Sequence, residues 1–234
     1  MWEKKGLFDP LMIPLQQVYN LEIMGTLCLT PCTFAKETQT IYMKESLFDI
    51  ETALITRRTV VRRFREREGA AFFDLYHSNA SVLSSLLPEV VPALGSALEA
   101  EYFVRSQLAA WLRQEGLPFA IWDKENARMI GYVSLSPLSP NWHKAQMSGF
   151  MDKDMNRQGL MTEVLQSLLQ VAFRQVLIEK ITLVVSAENT AGQRLAKKCG
   201  FQREGELREE LRRNSGEPID AVLFGILRSQ YLSI

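Results

Sequence analysis

The stretch from Met151 to Phe173, MDKDMNRQGLMTEVLQSLLQVAF, constrains this chain more than any other. Leu160, Met161, Val164, Leu165, Leu168, Leu169, Ala172, Phe173 and Val176 recur at the one- and four-residue offsets that build a single apolar stripe. Thr162, Glu163, Gln166, Gln170 and Arg174 fall opposite. The spacing predicts the end of a strand, a short loop with one glycine, and a long helix with one face in a core. Just before the helix stand Asn156, Arg157, Gln158 and Gly159. Backbone N–H groups without helical partners therefore lie at the positive end of the helix dipole, beside a guanidinium and a residue with no Cβ. Such an end suits a phosphate.

The chain around this stretch alternates strands and helices. Leu54 to Phe64, with Ile55, Val60 and Val61 among arginines, reads as a first strand or strand pair at a sheet edge. Glu66 to His77 has helical spacing, a patch broken by Pro88 and Pro92 follows, and Glu99 to Gln114 is a clearer helix stopped at Gly116-Leu117-Pro118. Strands are expected at Phe119 to Asp123 and Met129 to Leu135, then a loop at Pro137 to Trp142, then a strand from Lys144 to Asp152 that feeds the glycine loop. Beyond the long helix, Ile181 to Val185 is a continuous apolar run, as in a strand covered on both faces. Asn189 to Lys198 is a short helix ended by Gly200, and Asn214-Ser215-Gly216 turns one last strand into another as a hairpin. The fold class is α/β (α+β), a mixed sheet with helices on both faces.

Length and composition limit the rest. With 234 residues, 47% hydrophobic and 23% charged, one core plus an appendage fits best. The 27 basic and 27 acidic residues cancel, so no global field draws the protein to nucleic acid or a membrane surface. Cys28, Cys32 and Cys199 have no partners at zinc spacing and read as reduced, inert thiols; no metal is expected. Without a membrane-spanning run or a secretory leader, the expected location is cytoplasmic. Residues 1–50 show no sustained period, being broken by Pro10, Pro14 and Pro31, and read as an N-terminal extension of unassigned structure; Met43 is an alternative start. Residues 51–234 form the domain.

Asn156-Arg157-Gln158-Gly159-Leu160-Met161 resembles the Q/R-x-x-G-x-G/A pyrophosphate loop of the GNAT acetyltransferase superfamily. Gly159-Leu160-Met161 followed by Glu163 is similar to the version in ribosomal-protein-alanine N-acetyltransferases. The order of elements extends the likeness from about Leu54 to Leu227, with Gly131, Gly149 before an aromatic, Asn189, Gly200-Phe201 and Glu204-Gly205 at matching places. The resemblance implies a mostly antiparallel sheet whose fourth and fifth strands splay apart to hold acetyl-CoA. It gives the pantetheine to Met151 and its neighbours, the pyrophosphate to Arg157, Gln158, Gly159, Leu160, Met161 and Thr162, and a further pantetheine contact to Asn189. As a helix cap, Asn189 could serve both roles, since one amide offers donor and acceptor.

Three catalytic side chains common in the superfamily have no counterpart. The fourth-strand glutamate matches Met147, with Gln146 beside it; a tyrosine four residues before the Gly-Phe pair matches Ala196; and a serine three residues after the asparagine matches Gly192. Glu188 reads as a solvated strand-end residue, and His143 as a loop residue. The catalytic residues are unknown from sequence. Magnitudes then favour one kind of acceptor. A peptide α-amine of pKa about 7.7–8.0 is roughly 10–15% neutral at pH 7, whereas a lysine near 10.4 is about 0.04% neutral. An enzyme without a strong base could acetylate an N-terminus by proximity and backbone polarisation of the thioester, and would be a poor lysine acetyltransferase.

The resemblance therefore implies an acetyl-CoA-dependent N-acetyltransferase acting on a protein N-terminus, a ribosomal protein beginning with alanine foremost. The alternatives are transfer to a small amine such as a polyamine or an aminoglycoside, and a catalytically silent acetyl-CoA-binding module. The acceptor groove would be made by the helices near residues 66–115 and the last hairpin. Sequence leaves monomer and dimer equally open.

Overall fold

The computed structural model of the protein describes residues 53–86, 91–139, 143–213 and 215–233. The expected extension at 1–50 and the alternative start at Met43 lie outside the described residues. The strands are β1 (Ala53–Ile55), β2 (Thr59–Arg63), β3 (Leu117–Asp123), β4 (Met129–Ser139), β5 (Lys144–Met151), β6 (Lys180–Ser186), β7 (Gln202–Arg212) and β8 (Pro218–Leu227). The helices are α1 (Gly69–Leu86), α2 (Ala97–Leu112), α3 (Leu160–Arg174), α4 (Thr190–Lys198) and α5 (Arg228–Leu232). One eight-stranded sheet runs β1-β2-β3-β4-β5-β6-β8-β7. Every neighbouring pair is antiparallel except β5–β6. The mixed, mostly antiparallel sheet with helices on both faces is the expected fold, and the strands counted fourth and fifth in sequence are β5 and β6.

Two cores sandwich the sheet. On one face α1 and α2 bury Phe72, Leu75, Tyr76, Ala100 and Val104 against Phe64, Ala120, Tyr132 and Phe150. On the other, α3 lays Leu160, Val164, Leu165, Leu168, Leu169, Ala172 and Phe173 against Val133, Leu135, Ala145, Met147, Ile181 and Phe224. At about 1.5–3 kcal/mol per large buried apolar side chain, that stripe contributes on the order of 10 kcal/mol before chain entropy is set against it. Packing therefore decides the position of α3, and with it the position of the loop in front.

The first strand is a pair, β1–β2, one of the two forms expected, joined by a turn in which the Thr56 and Thr59 hydroxyls meet at 2.8 Å. Boundaries elsewhere differ from the sequence reading. Helix α1 starts at Gly69, where an added Cβ would fall 2.4 Å from Glu101 Cα, so α1 and α2 approach through this glycine. Strand β4 runs through Pro137 to Ser139 where a loop was expected. The β4–β5 ladder skips from Ser136↔Gln146 to Ser139↔Lys144, and Pro137, which has no N–H to give, sits inside that skip.

Candidate functional site

The sheet opens at one place. Strands β5 and β6 pair only at Lys144↔Lys180, Ala145↔Ile181 and Gln146↔Thr182. Both then continue, held from outside: β5 stays on β4 as far as Gly131↔Met151, and β6 stays on β8 as far as Ser186↔Ala221. The edges of Met147–Met151 and Leu183–Ser186 therefore face each other across a wedge instead of a ladder. Unpaired strand edges are rows of donors and acceptors, and an extended polar chain can bond to them as an added strand does. The other end is closed, with Glu179 N–H donating to the His143 carbonyl at 2.7 Å.

The loop at the open end is fixed from its first residue. Asp152, 1% exposed, lies 2.9 Å from the Arg128 guanidinium and accepts from Asp154 N–H at 3.3 Å. From α1, the buried Asn79 accepts from Lys153 N–H at 2.8 Å and donates to the Leu75 carbonyl at 2.8 Å. Two residues then take left-handed backbone, Arg157 at φ 63° and Gly159 at φ 79°. Gly159 caps α3 without a side chain. Among the described residues no acceptor meets the N–H groups from Arg157 to Thr162; the first closed turn is Glu163 N–H to the Gly159 carbonyl at 3.2 Å. These donors sit at the positive end of a helix of 15 residues. Of the residues expected to bind cofactor, Met151 is the last of β5 and Arg157 to Thr162 are this run.

Asn189 stands across the wedge as the N-cap of α4, its Oδ1 accepting from Gly192 N–H at 2.8 Å. Its Nδ2 has no partner among the described residues and remains free to donate. The glycine at 192 has a packing cause: a Cβ there would come 2.9 Å from Asn189 Nδ2 and 3.0 Å from Val185 Cγ1. A serine would have to displace the amide that caps the helix.

The proton-transfer candidates fall elsewhere. Met147 is 1% exposed and packs in the core under α3, so the position matched to the family glutamate points away from the α1–α2 face. Strand alternation puts Gln146, Ser148 and Phe150 on that face, beside Thr182, Val184 and Ser186 of β6. None of these side chains is a base. Both Glu188 oxygens accept from Arg213, at 2.8 and 2.7 Å, and His143 stands at the closed end, about 13 Å of strand from Met147. Tyr132 donates to Gln107 Oε1 at 3.0 Å, and burial pushes its hydroxyl up to about 12. It stays protonated through the neutral range. Ala196 is wholly buried. Among the described residues no three His, Cys, Asp or Glu side chains gather as a metal would require.

Sequence reading passed over four residues that hold the loop: Asn79, Arg128 and Asp152, and, on the far side, Arg58. Arg58 Nη2 donates to the Gln158 carbonyl at 2.7 Å and to Glu163 Oε1 at 2.7 Å. Asp152 alone had a local signal, an acidic residue at the end of a strand. The others come from elements far away in the chain.

Comparison with known proteins bears on the family and the fold. Residues 58–202 match the family model described as Acetyltransferase (GNAT) domain. A Bacillus subtilis (strain 168) protein named uncharacterized N-acetyltransferase YoaA is 25% identical over 175 residues, covering 75% of this chain and 96% of the relative. Among solved structures, the ribosomal-protein-S5-alanine acetyltransferase from Vibrio fischeri superposes with TM-score 0.70 at 17% identity, over 76% of this chain and 97% of that one. RimL, a ribosomal L7/L12 α-N-protein acetyltransferase solved with coenzyme A, superposes with TM-score 0.67 at 21% identity, over 74% of this chain and 96% of that one.

Proposed function

The chain belongs to the GNAT acetyltransferase family and is an N-acetyltransferase, and from that premise we propose that it carries acetyl from acetyl-CoA to the α-amine of a protein N-terminus. The leading acceptor is a ribosomal protein beginning with alanine. The observation that carries this reading is the wedge beyond Gln146 and Thr182, which ends at the run of unpaired N–H groups from Arg157 to Thr162. A pantetheine arm has the length and polarity to lie along the β5 edge at Met151, and a diphosphate has the charge to meet the N–H groups. Asn189 Nδ2 is the donor on the opposite bank.

The acceptor amine would enter from the α1–α2 face, where Gln146, Ser148 and Thr182 offer hydrogen bonds and no charge. It attacks the thioester carbonyl as the neutral amine; the C–N bond forms, the C–S bond breaks, and the proton lost from nitrogen ends on water or on the departing CoA thiolate. With neither carboxylate nor imidazole among the β5 and β6 side chains on this face, an acceptor already partly neutral at pH 7 is favoured. This supports an α-amine over lysine by about 3.5 kcal/mol of deprotonation. The same reading keeps the protein in the cytoplasm, where Cys199 is a free buried thiol pushed up to about 11 by burial and so inert.

Release of free CoA thiol from acetyl-CoA tests the proposal, with an alanine-initiated ribosomal peptide set against the same peptide Nα-blocked, a polyamine and an aminoglycoside. Turnover on the free peptide alone is the expected result. Turnover on the small amines would move the acceptor to that class, and CoA binding with no turnover on any amine would make the protein a binding module.

A further inference from the structure

We propose that Arg58 is a positioning residue for the diphosphate cradle, holding the Gln158–Gly159 peptide in the orientation that turns the Gly159 N–H toward the ligand. This deepens the proposed function and rests on its placing of the acetyl-CoA diphosphate at the start of α3.

A trans peptide is planar, so its C=O and N–H point in opposite directions and fixing one fixes the other. At this junction the plane has little else to hold it. Gly159 tolerates either side of the φ map, and both it, at 79°, and Arg157, at 63°, already occupy the left-handed region. The Gln158 carbonyl is taken by Arg58 Nη2 at 2.7 Å. Arg58 is itself held by Glu163 Oε1, at 3.2 Å from Nε and 2.7 Å from Nη2. The guanidinium thus straddles the loop–helix junction, its Nη2 shared between the carbonyl before Gly159 and the Glu163 carboxylate in the first turn of α3, and its Nε also on that carboxylate.

Arg58 belongs to the β1–β2 turn, which is itself ordered: Lys124 N–H donates to the Arg58 carbonyl at 3.1 Å, and Arg58 N–H donates to Thr56 Oγ1 at 3.3 Å. The fork therefore comes from a fixed support. Its nearest nitrogen would lie 3.7 Å from a Cβ placed on Gly159, so it stands beside the glycine without filling the space a ligand needs. A lysine could supply charge at this point but not the planar pair of donors that spans carbonyl and carboxylate.

The experiment compares wild type, Arg58→Ala and Arg58→Lys with two donors, acetyl-CoA and acetyl-pantetheine, which lacks the diphosphate. Wild type is titrated with CoA first; absence of binding there would sink the proposed function itself and is read before any variant. With binding in hand, Arg58→Ala is expected to raise the Kd for CoA and the KM for acetyl-CoA about tenfold or more. Its kcat/KM on acetyl-pantetheine should stay at the wild-type value, which also reports an intact fold. Arg58→Lys should resemble alanine. A lysine variant matching wild type would mean that charge alone acts, and an equal loss on both donors would mean that Arg58 merely holds the fold; either result overturns the assignment.

Discussion

The loop after β5 and the walls of the wedge in front of it are built in opposite ways. The loop is tied down from both ends, by Asp152, Asn79 and Arg128 at its start and by Arg58 and Glu163 at its finish. On the proposed reading its working groups are backbone N–H donors whose direction those side chains set. The walls carry Gln146, Ser148 and Thr182, uncharged groups that can hydrogen-bond but cannot take a proton from an amine. On that reading the enzyme supplies binding energy, while the protonation state of the reacting nitrogen is left to the acceptor and to water. Substitutions on the two sides should therefore fail differently, the loop in cofactor affinity and the walls in pH dependence.

The largest effect tests whether the family's base position reaches the walls at all. Met147→Glu places a carboxylate where the family resemblance asks for one, but the side chain it replaces is 1% exposed among Leu135, Val164 and Leu168. An unpaired carboxylate there is expected to cost about 3–5 kcal/mol of stability, seen as a melting temperature lower by roughly 10 °C, with no gain in turnover at pH 7. A variant that melts with the wild type and turns over faster would show that position 147 reaches the acceptor. The next effect belongs to the loop. Gly159→Asp strains a residue at φ 79° and sets a carboxylate against an anion, so calorimetric titration should show CoA affinity about hundredfold lower, near 2.7 kcal/mol. Unchanged affinity would remove the loop from the site.

The same contrast explains how much of the molecule its sequence discloses. Helix α3 was legible because a period of 3.6 held from Leu160 through Phe173, and the loop because a glycine precedes it. Strand β5 was legible twice, with conflicting messages. The alternation of Lys144, Gln146 and Ser148 with Ala145 and Met147 places Met147 in the core, whereas the family resemblance assigns it to the reacting centre. The structure follows the alternation, since a residue's parity along a strand decides its face. Pro137 read as a strand end because the gap in the β4–β5 ladder that tolerates it depends on the neighbouring strand. Arg58 was invisible for a related reason: Gln158, whose carbonyl it holds, is 100 residues away in sequence, and an arginine in a run of arginines has no local mark.

The smallest effect is the one that reads the walls directly. If no group beside the wedge takes the proton, the rate with an α-amine peptide should follow the neutral fraction of that amine. The fraction rises with pH and levels off above the amine's own pKa of about 8, so the rate between pH 7 and the plateau should grow about eightfold, near 1.2 kcal/mol. An enzymic base would bring the inflection below that of the free peptide. Tyr132, pushed up to about 12 by burial, cannot supply such an inflection between pH 6 and 9. Exchanging the acceptor for one whose α-amine titrates a unit lower should carry the inflection down by the same unit, because the profile belongs to the substrate. An inflection that stays fixed through the exchange, with chemistry shown to be rate-limiting, would place a proton acceptor on the enzyme and erase the distinction between loop and walls.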